Sequence, residues 1–206
     1  MKLGVSHQNP EILTEERFRY LRAMGVEAME VRVPKDRSSL PELEEIRQRV
    51  EKAGFELFEV MLSDHYGFSE VAIGGSERDK DIDIFCEFLE RLGKAGIDKT
   101  TYSWHFAGIY KTGEATTRGC KTRLFDLADT KSAPLAYNRE YSAEEMWENY
   151  AHFMKRVLPV AESSGVRLQL HPNDPPVDQG GVPRLFNSTV GYRRAMEIAG
   201  HNHYSA

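Results

Sequence analysis

The sequence predicts an α/β fold of (β/α)-barrel type, incomplete at about five of eight βα units. Three observations carry this. Short apolar runs alternate strictly with amphipathic helical stretches, each helical stretch ends on a glycine, and no glycine-rich phosphate loop follows the first run. Strict alternation implies a parallel sheet. An open doubly wound sheet, the rival architecture, typically carries that phosphate loop, and SHQNPE offers none.

Lys2 to Ser6 (KLGVS) is the first expected strand. Thr14 is placed as an N-cap, Arg17 to Met24 as a helix and Gly25 as its stop. Val26 to Val33 (VEAMEVRV) alternates as a strand does. Ser39 opens a second helix that runs to Ala53, and its Leu40, Leu43, Ile46 and Val50 share one face. Phe55 to Leu62 is a third strand, and a polar loop follows.

A third helix is expected from about Arg78 to Ala95, with Ile82, Phe85, Phe88, Leu89 and Leu92 as its buried stripe. Ile97 to Phe106 holds a fourth, less regular strand. The segment from about 107 to 141 is read as a long irregular insertion, functional or disordered, because it exceeds what a βα connection needs. Ser142 and Glu145 form a capping box for the fourth helix, which Pro159 should kink or loosen near its end. Val166 to Leu170 is a fifth strand, and a fifth helix is expected from about Ser188 to Ala199. The whole is read as one partial TIM-barrel domain, residues 1–206, against the roughly 250 residues of a complete barrel.

Composition narrows the function. A formal net charge of −5 argues against a nucleic-acid partner. No apolar run approaches the roughly 20 residues that cross a bilayer, and the N-terminal stretch lacks the apolar segment of a secretory signal. Cys86 and Cys120 stand far apart with no CxxC pairing, so no disulfide framework is expected and a cytoplasmic setting is the default.

Ligands of such folds bind at the C-terminal ends of the strands. That rule selects His7, Asp64, His65, Trp104, His105 and His171. His171 opens His171-Pro172-Asn173-Asp174-Pro175-Pro176, where prolines stiffen the loop. A histidine there can give one ring nitrogen to a metal while the other is held; the plainer alternative is that it only caps the strand. Asp174 can orient a ligand or make a local turn bond. Trp104 and His105 open a loop that also carries Arg118, Lys121 and Arg123. Arginine recognises carboxylates through a fork and aromatic faces suit a sugar, so an anionic polyol is a sensible ligand; a solvated basic loop with core aromatics is the plainer reading. Arg184 is likewise either a carboxylate contact or a surface charge.

The run VRLQLHPNDPPVDQGGVPRLF resembles the mannonate dehydratase signature, a strand ending in a His-Pro-Asp-Asp-Pro-Pro stretch followed by Gly-x-Pro-Arg. The segment YSWHFAGIYKTGEATTR is similar to that family's stretch after its fourth strand, and AESSGV is common among xylose-isomerase-like barrels. The resemblance implies a hydro-lyase of hexuronate degradation that converts D-mannonate into 2-keto-3-deoxy-D-gluconate with Mn²⁺ or Fe²⁺. It assigns His171 to the metal; Trp104, His105, Arg118, Asp174 and Arg184 are the substrate-binding candidates by their positions and chemistry. The family's other ligands and its catalytic His and Tyr come from later strands, so no catalytic residue is assigned and the chain alone is expected to be inactive. Asn173 stands where the family usually has Asp. Two other readings stay open: a sugar isomerase or epimerase on the same barrel, and a non-catalytic half-barrel that pairs with another chain or forms a homo-oligomer.

Overall fold

The computed structural model describes residues 1–104, 111–130 and 134–205. In chain order its elements are β1 (Gly4–Gln8), α1 (Glu15–Ala23), β2 (Ala28–Val33), α2 (Leu40–Lys52), β3 (Glu56–Leu62), α3 (Ser69–Ile73), α4 (Arg78–Lys94) and β4 (Lys99–Ser103). There follow β5 (Gly113–Thr117), β6 (Cys120–Leu124), α5 (Leu127–Thr130), α6 (Ala143–Ser164), β7 (Arg167–His171) and α7 (Thr189–Ile198).

The parallel strands expected from the sequence are present. β1, β2 and β3 pair in that order, and β4 pairs with β7. The two sheets meet between β3 and β4. There the Thr101 hydroxyl donates to Glu59 Oε2 at 2.6 Å, and the Ser103 N–H donates to the Tyr66 carbonyl at 2.8 Å. At the other edge Leu168 makes an isolated parallel bridge with Ser205.

Local signals account for the helix ends. Thr14 accepts from the Arg17 N–H, and Ser39–Glu42 and Ser142–Glu145 form capping boxes that satisfy donors no helical carbonyl can reach. Gly165 ends α6 at φ 69°, a left-handed position that costs a residue without Cβ little.

Two expectations need correction. The stretch before α4 is not a plain loop, because Ser69–Ile73 forms a short helix that buries Val71 and Ala72. The stretch from 107 to 141 is not irregular throughout: β5 and β6 make an antiparallel hairpin whose two-residue turn is Arg118 (φ 52°) and Gly119 (φ 79°). Positive φ at both turn residues matches the twist of hairpin strands. Pro159 lies inside α6, which continues to Ser164 with Val157 and Ala161 buried on either side of it. Packing of that face outweighs the hydrogen bond the proline cannot make.

The sheet has two unlike faces. Met29, Val31, Val33, Val60, Leu62, Tyr102 and Leu168 are buried within the apolar core that the helices cover. Phe68, Phe85, Tyr102, Trp104, Tyr150 and Phe153 form one aromatic cluster in that core. The alternate strand positions carry Glu30, Arg32, Glu59, Thr101, Gln169 and His171, with Met61 among them, so the inner face is mostly polar. No helix among the described residues is long and apolar enough to cross a membrane.

Candidate functional site

Strand register stacks the inner face in layers. Glu30 pairs with Glu59, and Thr101 with Gln169. One step nearer the C-terminal ends, Arg32 pairs with Met61 and Ser103 with His171. An open cavity of about 510 Å³ lies over the lower part, with Lys2, Ser6, Glu30, Glu56, Phe58 and Glu59 in its lining.

Glu59 is 5% exposed. Burial pushes its carboxyl above the usual range, while the Thr101 hydroxyl pulls the other way. A raised folded-state pKa means that ionised Glu59 costs stability at neutral pH, and that the cost disappears as pH falls below the ordinary carboxylate value. Glu59→Gln keeps an oxygen for Thr101 and removes the charge. We expect a higher urea midpoint for this variant at pH 7 and a smaller difference at pH 4; an unchanged gap across that range would show that Glu59 is not the group responsible.

The upper layer carries the chemistry. His171 is exposed at the end of β7, and its Nδ1 lies 2.7 Å from the Pro172 carbonyl. A carbonyl can only accept, so Nδ1 is the donor in this contact. The His171 ring meets the edge of Tyr66 at 6.0 Å, and the Arg32 guanidinium lies 5.7 Å from the centre of that same Tyr66 ring. Arg32 Nε also pairs with Glu30 Oε1 at 2.7 Å. Arg32, Tyr66 and His171 therefore line one side of the mouth.

The loop after β7 is tied down by Asn173, which is 4% exposed. Its amide nitrogen donates to the Trp104 carbonyl at 2.9 Å, and its amide oxygen accepts from the Phe186 N–H at 2.8 Å. Its backbone N–H donates to the Phe186 carbonyl at 2.9 Å. A carboxylate could not make the first of these bonds, which gives Asn a physical reason to stand here.

The other expected site residues fall in different surroundings. Trp104, expected on the ligand-facing rim, is fully buried, and its ring packs edge-on against Tyr150 at 5.2 Å; it is a core residue because the strand places it under α6. Arg118 sits exposed at the tip of the β5–β6 hairpin. Asp174 is exposed, and its bond to Pro175 is cis. Arg184 is 4% exposed rather than a surface charge, and its backbone N–H donates to Asp178 Oδ1 at 2.7 Å. His105 lies outside the described residues.

Sequence reasoning missed Arg32, Tyr66 and Glu59. The alternation in VEAMEVRV already put Glu30 and Arg32 on the face opposite Met29 and Val31, and that was the available signal. Nothing in DHYGF singles out Tyr66.

A family model described as D-mannonate dehydratase (UxuA) matches residues 111–205, a stretch that contains α6, β7, the Asn173 loop and Arg184. The mannonate dehydratase of Streptococcus agalactiae is 24% identical over 182 residues, covering 76% of this chain and 52% of its own. That of Enterococcus faecalis is 27% identical over 207 residues, covering 81% and 56%.

The chain is related to the mannonate dehydratases.

It spans about half the length of the curated mannonate dehydratases it matches. The crystal structure of mannonate dehydratase from Streptococcus suis serotype 2 superposes with a TM-score of 0.76 at 22% identity, over 96% of this chain and 61% of that one. A 3-keto-D-glucoside 4-epimerase from E. coli gives 0.64 at 17% identity, over 98% and 66%. These likenesses establish the fold, that of an incomplete TIM barrel. Among the described residues no group of three or more His, Cys, Asp or Glu side chains stands close enough to hold a metal ion. The described residues do not by themselves compose a Mn²⁺ or Fe²⁺ centre, which needs several protein ligands in a defined geometry.

Proposed function

We propose that this chain provides the His171 side of a sugar-acid dehydratase, a hydro-lyase that converts D-mannonate into 2-keto-3-deoxy-D-gluconate and water. The observation that carries the reading is the D-mannonate dehydratase match over the segment holding His171, Asn173, Asp174 and Arg184. In the reaction a proton leaves the carbon beside the carboxylate, the neighbouring carbon loses its hydroxyl as water, and the resulting enol becomes a ketone. Such chemistry benefits from a group that stabilises charge developing next to the carboxylate.

In this proposal His171 is one ligand of a Mn²⁺ or Fe²⁺ ion, which would supply Lewis-acid stabilisation. The hydrogen bond from Nδ1 to the Pro172 carbonyl supports that role, since it orients the ring and makes Nε2 the nitrogen that would bind the ion. His171 has no pair of further metal-ligating side chains around it among the described residues, so no step through the ion is written. Arg184 and Asp174 remain proposed substrate contacts, as do His105 and Arg118. A cytoplasmic setting and a small-molecule sugar acid as the partner belong to the same proposal.

Sugar epimerisation is the second reading, favoured by the likeness to a 3-keto-D-glucoside 4-epimerase and resting on fold alone. Product mass separates the two. The protein is incubated with D-mannonate and Mn²⁺, both as this chain and joined to the remaining strands of a barrel. The expected result is a keto-deoxy acid lighter by one water, lost on His171→Ala. An isomer of unchanged mass would replace the dehydratase reading with the epimerase one. Mannonate left intact by both forms would remove it.

A further inference from the structure

We propose that Arg32 is the anchor for the carboxylate of the ligand, and that Tyr66 holds it in line with His171. The inference rests on the reading of the ligand as a sugar acid, and it assigns the anionic end to β2 rather than to the loop arginines.

The geometry is specific. Arg32 occupies the layer of the inner face that also holds Ser103 and His171. Its side chain is 25% exposed, partly withdrawn from water yet open to the mouth. Only Nε is committed to Glu30; the two terminal nitrogens make no hydrogen bond among the described residues. Those nitrogens are the pair that grips a carboxylate in the bidentate arrangement, and a planar guanidinium is suited to it. The Tyr66 face lies beneath the guanidinium at 5.7 Å, which limits its rotation. The same ring touches His171 at 6.0 Å. A polyhydroxy acid held by its carboxylate at Arg32 would thus extend across Tyr66 toward His171.

The loop arginines compare poorly. Arg118 is on an exposed hairpin tip whose ladder bonds join β5 only to β6, and Arg184 is 4% exposed. Glu30 sets the strength of the anchor, because it competes with an incoming carboxylate for the same cation.

The probes are D-mannonate and D-mannitol, which lacks the carboxylate, with binding followed through the ring signals of Tyr66 and His171 by NMR. Mannonate should bind the wild-type chain about tenfold or more tightly than mannitol. Arg32→Gln should bring mannonate down to the mannitol level and leave mannitol unaffected, and Arg32→Lys should recover part of the loss. Glu30→Gln, which keeps the shape and removes the competitor, should tighten mannonate a few-fold; this variant carries the test if Arg32→Gln fails to fold. Equal mannonate affinity in wild type and Arg32→Gln overturns the proposal, as does equal binding of the two probes, or of neither, by the wild-type chain. Mannonate that binds Glu30→Gln no more tightly than wild type overturns it too. Arg32-dependent binding without any keto-deoxy product would leave the anchor standing and remove the dehydratase. Product formed by Arg32→Gln at the wild-type KM would do the reverse.

Discussion

Phe153→Ala is expected to lower the stability of the chain by about 3–5 kcal/mol. Phe153 is fully buried on α6, and five rings surround it: Phe68 at 4.9 Å, Tyr102 at 5.4 Å, Trp104 at 5.5 Å, Phe85 at 6.1 Å and Tyr150 at 6.4 Å. They come from β4 and the residue after it, α4, α6 and the turn before α3, so no single element can move to fill the hole. The loss combines the apolar transfer of the removed ring with a cavity that rigid aromatic neighbours cannot close. Urea unfolding monitored by circular dichroism would show a lower midpoint with an unchanged slope. A shift worth less than about 1 kcal/mol would mean that the cluster relaxes around the gap and is not the centre of the core.

Asn173→Ala should cost nearly as much, about 2–5 kcal/mol, for a different reason. The substitution removes little apolar surface. It leaves the Trp104 carbonyl and the Phe186 N–H without the partners they have now, and each buried unpaired group costs about 1–3 kcal/mol. Asn173→Asp is the sharper test. It keeps an acceptor for Phe186 but turns a carboxylate oxygen toward the Trp104 carbonyl. Its carboxyl should titrate above the ordinary range in the folded state, so the penalty is present at neutral pH and shrinks as pH falls and the acid gains a proton to donate. Midpoints at pH 7 and pH 4 should therefore converge toward those of the wild type at the acidic end. An Asp variant as stable as wild type at pH 7 would show that the Trp104 carbonyl finds another donor.

The legible parts of the fold were those where burial imposes a period. α2 and α4 were readable because Leu43, Ile46 and Val50, and Ile82, Phe85, Leu89 and Leu92, meet the core on one face each. β2 was readable because Met29, Val31 and Val33 alternate with Glu30 and Arg32. The β5–β6 hairpin escaped because none of its residues is buried; its register is set by turn geometry and not by an apolar face. α3 escaped for its brevity and because it starts behind Phe68 in a left-handed conformation.

The site divides in the same way. A histidine at the end of a strand and before a proline can be placed from the sequence, since strand ends define the mouth. Trp104 could not be distinguished from a rim aromatic, because one residue past a strand the chain can turn either inward or outward. Whether Arg32 and His171 share a ring depends on the turn after β3, which brings Tyr66 between them, and no local pattern encodes that meeting. The role of Asn173 likewise becomes visible only when Trp104 and Phe186, distant in sequence, arrive on its two sides.

The aromatic cluster also turns the molecule into its own optical probe. The chain has two tryptophans, Trp104 and Trp147, and both are buried at 0% and 6% exposure. Trp104 packs on Tyr150, and Trp147 on Tyr150 and Phe186. Intrinsic emission therefore comes from the region joining β4, α6 and the segment after β7, while β1, β2, α1 and α2 contribute no indole. An emission trace follows the side of the molecule that carries the Asn173 clamp, and far-ultraviolet dichroism follows the backbone throughout. Overlay of the two traces would show that both sides melt as one cooperative unit; separation would reveal which side lets go first.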